Sequence, residues 1–293
     1  MDAASMITRN DLPIAQRMRA VFELKQLATE AAVDAICDGI RDESVLLAHE
    51  CCYGLGQLMN PRALPALRNA LSDTSLHPVV RHEAAEAIGA IGDPSDRDFI
   101  AQFVDDPAVE VSETCRIALD LFAERDANQS STSCSGRFQS VDPAPPAAAQ
   151  PDVGASERVR RWSEELLDTR LPLFERYKAM FALRDDGSPA AVAALCKSFA
   201  DRSSALFRHE VAYVLGQLQD PLSRDALLAV LQDSSEHEMV RHEAAEALGA
   251  IADSDALGVL RTHLDDSDQI VKQSCEVALD LYEYWNADRE TAA

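Results

Sequence analysis

The chain repeats itself at two distances, and this repetition restricts the folds that are open to it. The dipeptide His-Glu occurs four times in one repeated setting, beginning at His49, His82, His209 and His242. The interval from the first copy to the second equals the interval from the third to the fourth, and one constant shift carries the first pair onto the second. A period of roughly 20 to 50 residues, which the shorter interval falls within, is typical of solenoids built from stacked repeats. The sequence therefore predicts two similar halves, each made of short repeats.

Each repeat has the pattern of two amphipathic helices. The segment VVRHEAAEAIGAIGD recurs as MVRHEAAEALGAIAD, and LLAHECCYGLGQL matches LFRHEVAYVLGQL. Apolar residues at helical spacing run up to a Gly-Asp, Asn-Pro or Asp-Pro break, and a second amphipathic stretch such as ALPALRNAL follows. A further step of the same short interval gives SETCRIALDLF and KQSCEVALDLY, while MRAVFELKQL and YKAMFALRDD are the earliest, weaker copies. We expect about four helical hairpins in each half, stacked into a solenoid.

Residues 126–156 are rich in Ser, Ala, Pro and Gln and poor in large apolar side chains. This composition predicts a disordered linker between a first half, 1–125, and a second half, 157–293. Its length would let the two short solenoids fold separately and then face one another. Cys134 within it is expected to be exposed and incidental.

Composition and charge narrow the function classes. A net charge of −23 disfavours nucleic acids and anionic lipids and favours basic partners. No apolar run approaches the roughly 18 residues of a membrane span. The cysteines lack CxxC spacing, and four of them fall in apolar helical patterns, which fits reduced thiols and no zinc-thiolate site: Cys37, Cys115, Cys196 and Cys275. We expect a cytoplasmic monomer, with a partly nuclear location also open.

The four in-phase His-Glu pairs indicate a two-metal site. Each histidine interrupts an otherwise apolar helix face, where an uncompensated polar ring costs free energy. One such histidine is more often a hydrogen-bonded core residue, but four in register favour metal binding. Neighbouring side chains on a helix diverge by about 100°, so a metal held by two imidazoles could take its carboxylate from the facing half. Imidazole and carboxylate donors without thiolate fit iron or manganese better than structural zinc.

Some other polar residues near the motifs have competing interpretations. The HExxH pattern of zinc proteases is absent. Glu86 and Glu246 share a helix face with His82 and His242, so they are either rival ligands or ordinary surface charges. The fifth pair, His237-Glu238, lies just before a predicted helix start, and we interpret it as a pair of ordinary surface residues.

A glycine follows each of the four histidines by seven residues, at Gly56, Gly89, Gly216 and Gly249. Seven residues are two helical turns, so each glycine lies on the same face as its histidine. Glycine inside a helix costs about 1 kcal/mol relative to alanine, so the missing side chain should have a use. Two uses of these glycines remain open: they allow close packing of helices, or they leave room for a long thin substrate.

Taken together, the four motifs resemble deoxyhypusine hydroxylase, a family of HEAT-like repeat enzymes, over both halves but not the linker or the ends. The resemblance implies a non-haem di-iron monooxygenase. Such an enzyme uses dioxygen and an external electron donor to hydroxylate the deoxyhypusine side chain of eukaryotic translation initiation factor 5A to hypusine. Ala48 and the pair Cys51-Cys52 depart from the basic and small apolar residues expected there. We therefore expect an all-α protein of HEAT-like hairpins, its two four-repeat halves facing each other across a di-metal site.

The same resemblance assigns roles to individual residues. It implies two iron ions per chain held by six ligands: His49, His82, Glu83, His209, His242 and Glu243. It implies that Glu50, Glu210, Gly56 and Gly216 receive the substrate, and it implies no catalytic residue beyond the metal ligands. Deoxyhypusine is a flexible dication, so the carboxylates that do not bind metal can pair with its amines.

Two functions of other classes stay open at this point. The VRxxAAxALG repeats also resemble those of phycobilin lyases and of non-catalytic solenoids, which would make the chain a binding scaffold. Alternatively, a two-metal hydrolase would use zinc or manganese to activate water. Metal analysis separates the scaffold from the enzymes, and dependence on dioxygen separates the two enzymes.

Overall fold

The residues that the structure describes form α-helices, most of them joined by short turns. The computed structural model describes the backbone of residues 2–128 and 138–291, and the side chains of 2–127 and 138–284. Within these residues there is no β-strand, and none of the helices combines the length and the apolar character that a membrane crossing requires. The first half contains α1 to α8: Ala3–Ile7, Ile14–Leu27, Glu30–Gly39, Val45–Leu58, Leu64–Ser72, Pro78–Ile91, Arg97–Ile100 and Val109–Asn128.

The second half repeats this order with α9 to α16. Their bounds are Ala155–Leu167, Leu173–Asp186, Pro189–Ser198, Ala205–Leu218, Arg224–Gln232, Glu238–Ile251, Leu257–Thr262 and Gln269–Thr291. The helices form four successive hairpins in each half, which confirms the helical repeats expected from the sequence. The chain divides into two compact units, Met1–Ser135 with Gln139–Pro143, and Gly136–Phe138 with Ala144–Ala293.

Capping residues explain where the helices that carry the motifs begin and end. The hydroxyl of Ser44 accepts a hydrogen bond from the Leu47 amide at the start of α4, and Ser204 does the same for Phe207 in α12. Both helices end on a left-handed residue, Met59 with φ 50° and Gln219 with φ 52°. A proline then opens a short 3₁₀ turn, so the next hairpin begins at the same place in each half.

Within each unit, the second helices of consecutive hairpins pack side by side at very short distances. A Cβ atom added to Gly56 would lie 3.0 Å from the Cα atom of Ala87 on α6. The corresponding distance from Gly216 to Ala247 is 3.1 Å, and from Gly249 to Ala278 it is 2.7 Å. Close helix packing therefore accounts for these glycines, and it brings the motif helices of one unit near each other.

A buried arginine at the fourth position of the second helix ties consecutive hairpins together. Nε of Arg81 donates to the carbonyl of Leu71 at 3.0 Å, at the end of the preceding helix, and Nη2 pairs with Asp106 of the next turn at 2.6 Å. The same two contacts recur at Arg17, Arg176 and Arg241. This repeated arginine was not anticipated from the sequence, although VRHE in two copies carries the signal.

Helices extend a short way into both ends of the region predicted as a linker, residues 126–156. Helix α8 continues to Asn128, and α9 begins at Ala155. Residues 138–154 contain neither helix nor strand. Gln57 donates to the Val141 carbonyl at 3.0 Å and accepts from its amide at 2.9 Å, while the Ala147 amide donates to the Lys178 carbonyl at 2.8 Å. Residues 129–137, including Cys134, lie outside the described residues, and the domain boundaries stay a prediction.

Candidate metal centre

The four His-Glu pairs lie at the same place in four equivalent helices, and all eight side chains are buried. Each histidine is the fifth residue of its helix, in α4, α6, α12 and α14. His82 and His242 have no solvent exposure, and none of the eight residues exceeds 8%. Ionisable side chains are seldom buried to this degree unless they are paired or bind a metal. The helices thus bury two imidazoles and two carboxylates in each half.

In the first half, three of these side chains converge on one point. The rings of His49 and His82 have centroids 5.6 Å apart, and Nε2 of His49 lies 3.2 Å from Oε2 of Glu83. One donor atom from each of the three residues lies within 4.8 Å of the other two. Metal bonds of about 2.1 Å place adjacent ligand atoms about 3 Å apart. The spacing therefore fits a single cation held by two imidazoles and a carboxylate.

The second half brings its own two histidine rings together, and the first of them lies near a carboxylate, at similar distances. The rings of His209 and His242 have centroids 5.3 Å apart, and Nε2 of His209 lies 3.4 Å from Oε2 of Glu243. In each half the carboxylate next to the first histidine thus comes from the following helix of the same half. The expectation that a metal could take a carboxylate from the facing half stays a prediction.

His49 is held between two carboxylates. Oε1 of Glu50 lies 3.3 Å from Nδ1, on the side of the ring opposite Glu83. The neighbouring Glu50 thus meets one edge of the ring, while Glu83 from the next motif helix meets the other. Burial lowers the pKa of His49, but hydrogen bonds and charge from Glu50 and Glu83 outweigh it and raise the pKa well above its ordinary value. The site stabilises positive charge, which suits a metal cation.

The two rival carboxylates make different contacts. Oε1 of Glu246 is 3.5 Å from Nδ1 of His242 and accepts a hydrogen bond from Ser274 Oγ at 2.9 Å. Glu86 lines a cleft with Thr114 and Pro143. The donor group of the first half contains Glu83 rather than Glu86.

The residues implied as substrate contacts lie beside the donor sets. Glu50 and Glu210 are buried, at 6% and 3% exposure. The ammonium of Lys25 lies 5.1 Å from the ring centre of Tyr53, one turn beyond Glu50. Burial lowers the pKa of Lys25, and the charge of Glu50 partly offsets this. Gly56 and Gly216 are already explained by helix packing, so a contact between them and substrate stays a prediction.

The fifth His-Glu pair has a structural role. Nδ1 of His237 accepts the Met239 amide at 3.2 Å and caps helix α14, and His77 caps α6 through Val79 at 3.3 Å. Both histidines are partly exposed. They do not belong to the buried set.

These observations define a class of protein: a HEAT-like helical repeat chain whose motif helices bury imidazole and carboxylate donors suited to a metal. The family model for HEAT repeats matches residues 5–75, 34–120 and 193–280. Deoxyhypusine hydroxylase of Mus musculus is 50% identical over 93% of this chain and 87% of its own length. The enzyme of Homo sapiens is 48% identical over 93% of this chain and 87% of its own length.

A solved structure gives the same result. Human deoxyhypusine hydroxylase in complex with glycerol has a TM-score of 0.91 and 45% sequence identity, over 96% of this chain and 95% of the human one. The chain belongs to the deoxyhypusine hydroxylase family. It is therefore an enzyme of the monooxygenase class, as the four motifs suggested.

Proposed function

We propose that the protein hydroxylates the deoxyhypusine side chain of eukaryotic translation initiation factor 5A to hypusine, with two bound irons and dioxygen. The observation that carries the proposal is the repeated donor set. Each half has two histidine rings with centroids 5.6 Å or 5.3 Å apart and a carboxylate 3.2 Å or 3.4 Å from Nε2 of the first ring. The names of relatives at 50% and 48% identity support the same activity. They do not favour a binding scaffold or a hydrolase.

The ligands that we propose divide equally between the halves. His49, His82 and Glu83 would hold one iron, and the matching set would hold the other: His209, His242 and Glu243. Imidazole and carboxylate donors with open positions are the ligands of non-haem iron in oxygenases. When bound, the irons would supply the electrons that activate dioxygen. The protein contributes burial, which keeps bulk water from the reacting carbon.

The remaining carboxylates would bind the substrate. Deoxyhypusine carries two amines joined by methylene groups, so it needs negative charge at two points along a narrow path. Glu50 and Glu210 offer that charge, one in each half, and a buried carboxylate makes strong charge-assisted hydrogen bonds to ammonium. Gly56 and Gly216 stay predicted substrate contacts, although close packing on Ala87 and Ala247 already accounts for their missing side chains. Fixing both amines selects the carbon that is presented for reaction.

The overall reaction needs a reductant besides dioxygen. One oxygen atom enters the C–H bond of the substrate and the other leaves as water, which consumes two electrons and two protons from an external donor. The net charge of −23 favours the approach of a basic protein surface around the modified lysine, and this raises the association rate more than the affinity.

Iron analysis combined with activity tests the proposal. The purified chain should contain about two irons with two imidazoles and one carboxylate for each, and it should convert deoxyhypusine to hypusine only when dioxygen and a reductant are present. His49→Ala and His242→Ala should each lose iron and activity. His237→Ala is the control, because this histidine caps α14 and does not itself belong to the donor sets. Activity that persists without iron or without dioxygen would contradict the proposal.

A further inference from the structure

One carboxylate near the second donor set has no role in the proposed function. Glu246 lies one helical turn after His242 on α14, and its Oε1 atom is 3.5 Å from Nδ1 of the ring. The same oxygen accepts the hydroxyl of Ser274 from α16 at 2.9 Å. His242 and Ser274 are both fully buried. Three side chains from two helices thus form a row that ends on a histidine of the donor set.

The atom that Glu246 approaches decides what it can do. An imidazole has two nitrogens, and a neutral ring that carries its proton on Nδ1 keeps the Nε2 lone pair for a metal. A carboxylate beside Nδ1 stabilises that tautomer and fixes the direction of the ring. Coordination at Nε2 also makes the Nδ1 proton a better donor, so the 3.5 Å contact should shorten when a metal binds. A carboxylate at Nδ1 supports the ligand histidine and does not itself bind the metal.

We propose that Glu246 is a positioning residue for the metal ligand His242, and that Ser274 holds Glu246 in place. The proposal rests on the proposed function, since it takes Nε2 of His242 as an iron ligand. It resolves the two interpretations that the sequence left for Glu246, because the residue neither binds iron nor lies idle on the surface.

Iron affinity is the first measurement. Glu246→Gln keeps the size of the side chain and an acceptor for Ser274 but removes the negative charge. Fe(II) titration of the full-length metal-free protein should show a loss of affinity of about 10- to 100-fold at one of two sites, the usual effect of removing an outer partner of a ligand histidine. Ser274→Ala should have a smaller effect in the same direction. Ser274→Thr should keep the Fe(II) affinity of the unaltered protein, because threonine retains a hydroxyl that can donate a hydrogen bond to Glu246.

The chain supplies a closely matched control on the same helix. Oε2 of Glu238 lies 3.5 Å from Nδ1 of His237, a histidine outside the donor sets. Glu238→Gln therefore removes the same charge at the same distance from an imidazole, and Fe(II) affinity should not change. An equal loss in Glu238→Gln and Glu246→Gln would overturn the proposal, because it would reduce the effect to the net charge of the helix.

Nitrogen chemical shifts of the His242 ring separate positioning from stability and from ligation. In the metal-free protein, they should report a proton on Nδ1, and Glu246→Gln should shift the ring toward the other tautomer. A variant with a lower unfolding temperature but unchanged shifts and Fe(II) affinity would make Glu246 merely structural. Loss of one iron as complete as in His242→Ala would make it a ligand. Either result overturns the proposal.

The two proposals can fail separately. If the unaltered protein binds no Fe(II), the proposed function fails, yet the ring shifts of the metal-free protein still show whether Glu246 orients His242. If the protein binds two irons and hydroxylates its substrate, but Glu246→Gln changes neither the shifts nor the affinity, only the role of Glu246 is wrong.

Discussion

Nε2 of His49 lies 3.2 Å from Oε2 of Glu83, although the two residues belong to different hairpins. Glu50, the neighbour of His49 in sequence, lies on the Nδ1 side of the same ring. The two glutamates therefore face opposite edges of one imidazole. Glu83 is therefore placed to share a metal with Nε2 of His49, whereas Glu50 is placed to bind another partner.

The first prediction concerns this division. Glu83→Ala and Glu243→Ala should lose iron, because each removes the carboxylate next to a ligand nitrogen. Glu50→Ala and Glu210→Ala should keep most of their iron but bind a deoxyhypusine-containing substrate much more weakly, since a buried charge-assisted contact is lost. Iron content per chain and substrate affinity are the two measurements. Equal iron loss in all four variants would contradict the division of roles.

A second prediction compares the two halves at one buried ion pair. Arg208 donates to both carboxylate oxygens of Glu236, at 2.7 Å and 2.9 Å, and both side chains are buried. The first half has Ala48 and Leu76 at the equivalent positions. The two halves thus differ at both partners and not at one alone, which fits the cost of a lone buried charge.

Arg208→Ala should lower the free energy of unfolding by about 3 kcal/mol, near the lower end for a broken buried pair, because Arg202 still contacts Glu236. Adding Glu236→Leu should recover most of that loss, since no buried charge then lacks its arginine. Chemical denaturation of the two single variants and the double variant measures the coupling. Simple additivity of the two single losses would show that the pair is not coupled.

The third prediction concerns a glycine at a close helix approach. Gly249→Ala should destabilise the protein by about 1 to 3 kcal/mol, because the new methyl group would overlap the backbone of α16. A Cβ atom built there would lie 2.7 Å from Cα of Ala278. Gly258→Ala is the control: nothing lies within 4 Å of its added Cβ, so it should be neutral or stabilising by up to about 1 kcal/mol. Chemical denaturation of both variants measures these changes in the free energy of unfolding.

The fourth prediction is a pH dependence of stability. The hydrogen-bonded guanidinium of Arg81 lowers the pKa of Asp106 below its ordinary value. Because the folded pKa is below the unfolded one, this pair stabilises the protein fully above pH about 4 and loses its contribution as pH falls toward the folded pKa. The free energy of unfolding should therefore fall less steeply with acid in Asp106→Asn than in the unaltered protein. Parallel curves for the two proteins would contradict this account.

Much of the architecture follows from the sequence alone. The short repeat period, the longer shift between the halves and the helical spacing of apolar residues predict stacked helical hairpins in two halves. The in-phase placement of four buried His-Glu pairs predicts a metal site. The inference of helical repeats succeeds because helix periodicity is local, and because each repeat is a copy of the same pattern, while the metal site stays a prediction. The structure of a segment that has no copy in the other half, such as the polar segment after α8, is harder to predict from the sequence.

The tertiary structure decided which atoms meet. Sequence spacing placed Glu83 and Glu246 near histidines, but only the packing of α4 on α6 brings Glu83 to Nε2 of His49, and only the rotamers in α14 set Glu246 beside Nδ1 of His242. The same holds for Gln57, whose amide binds the backbone of Val141, far along the chain. Contacts of this kind depend on interhelix distances of a few ångströms and on side-chain torsions. Both arise from packing of the whole repeat stack, which no local pattern specifies.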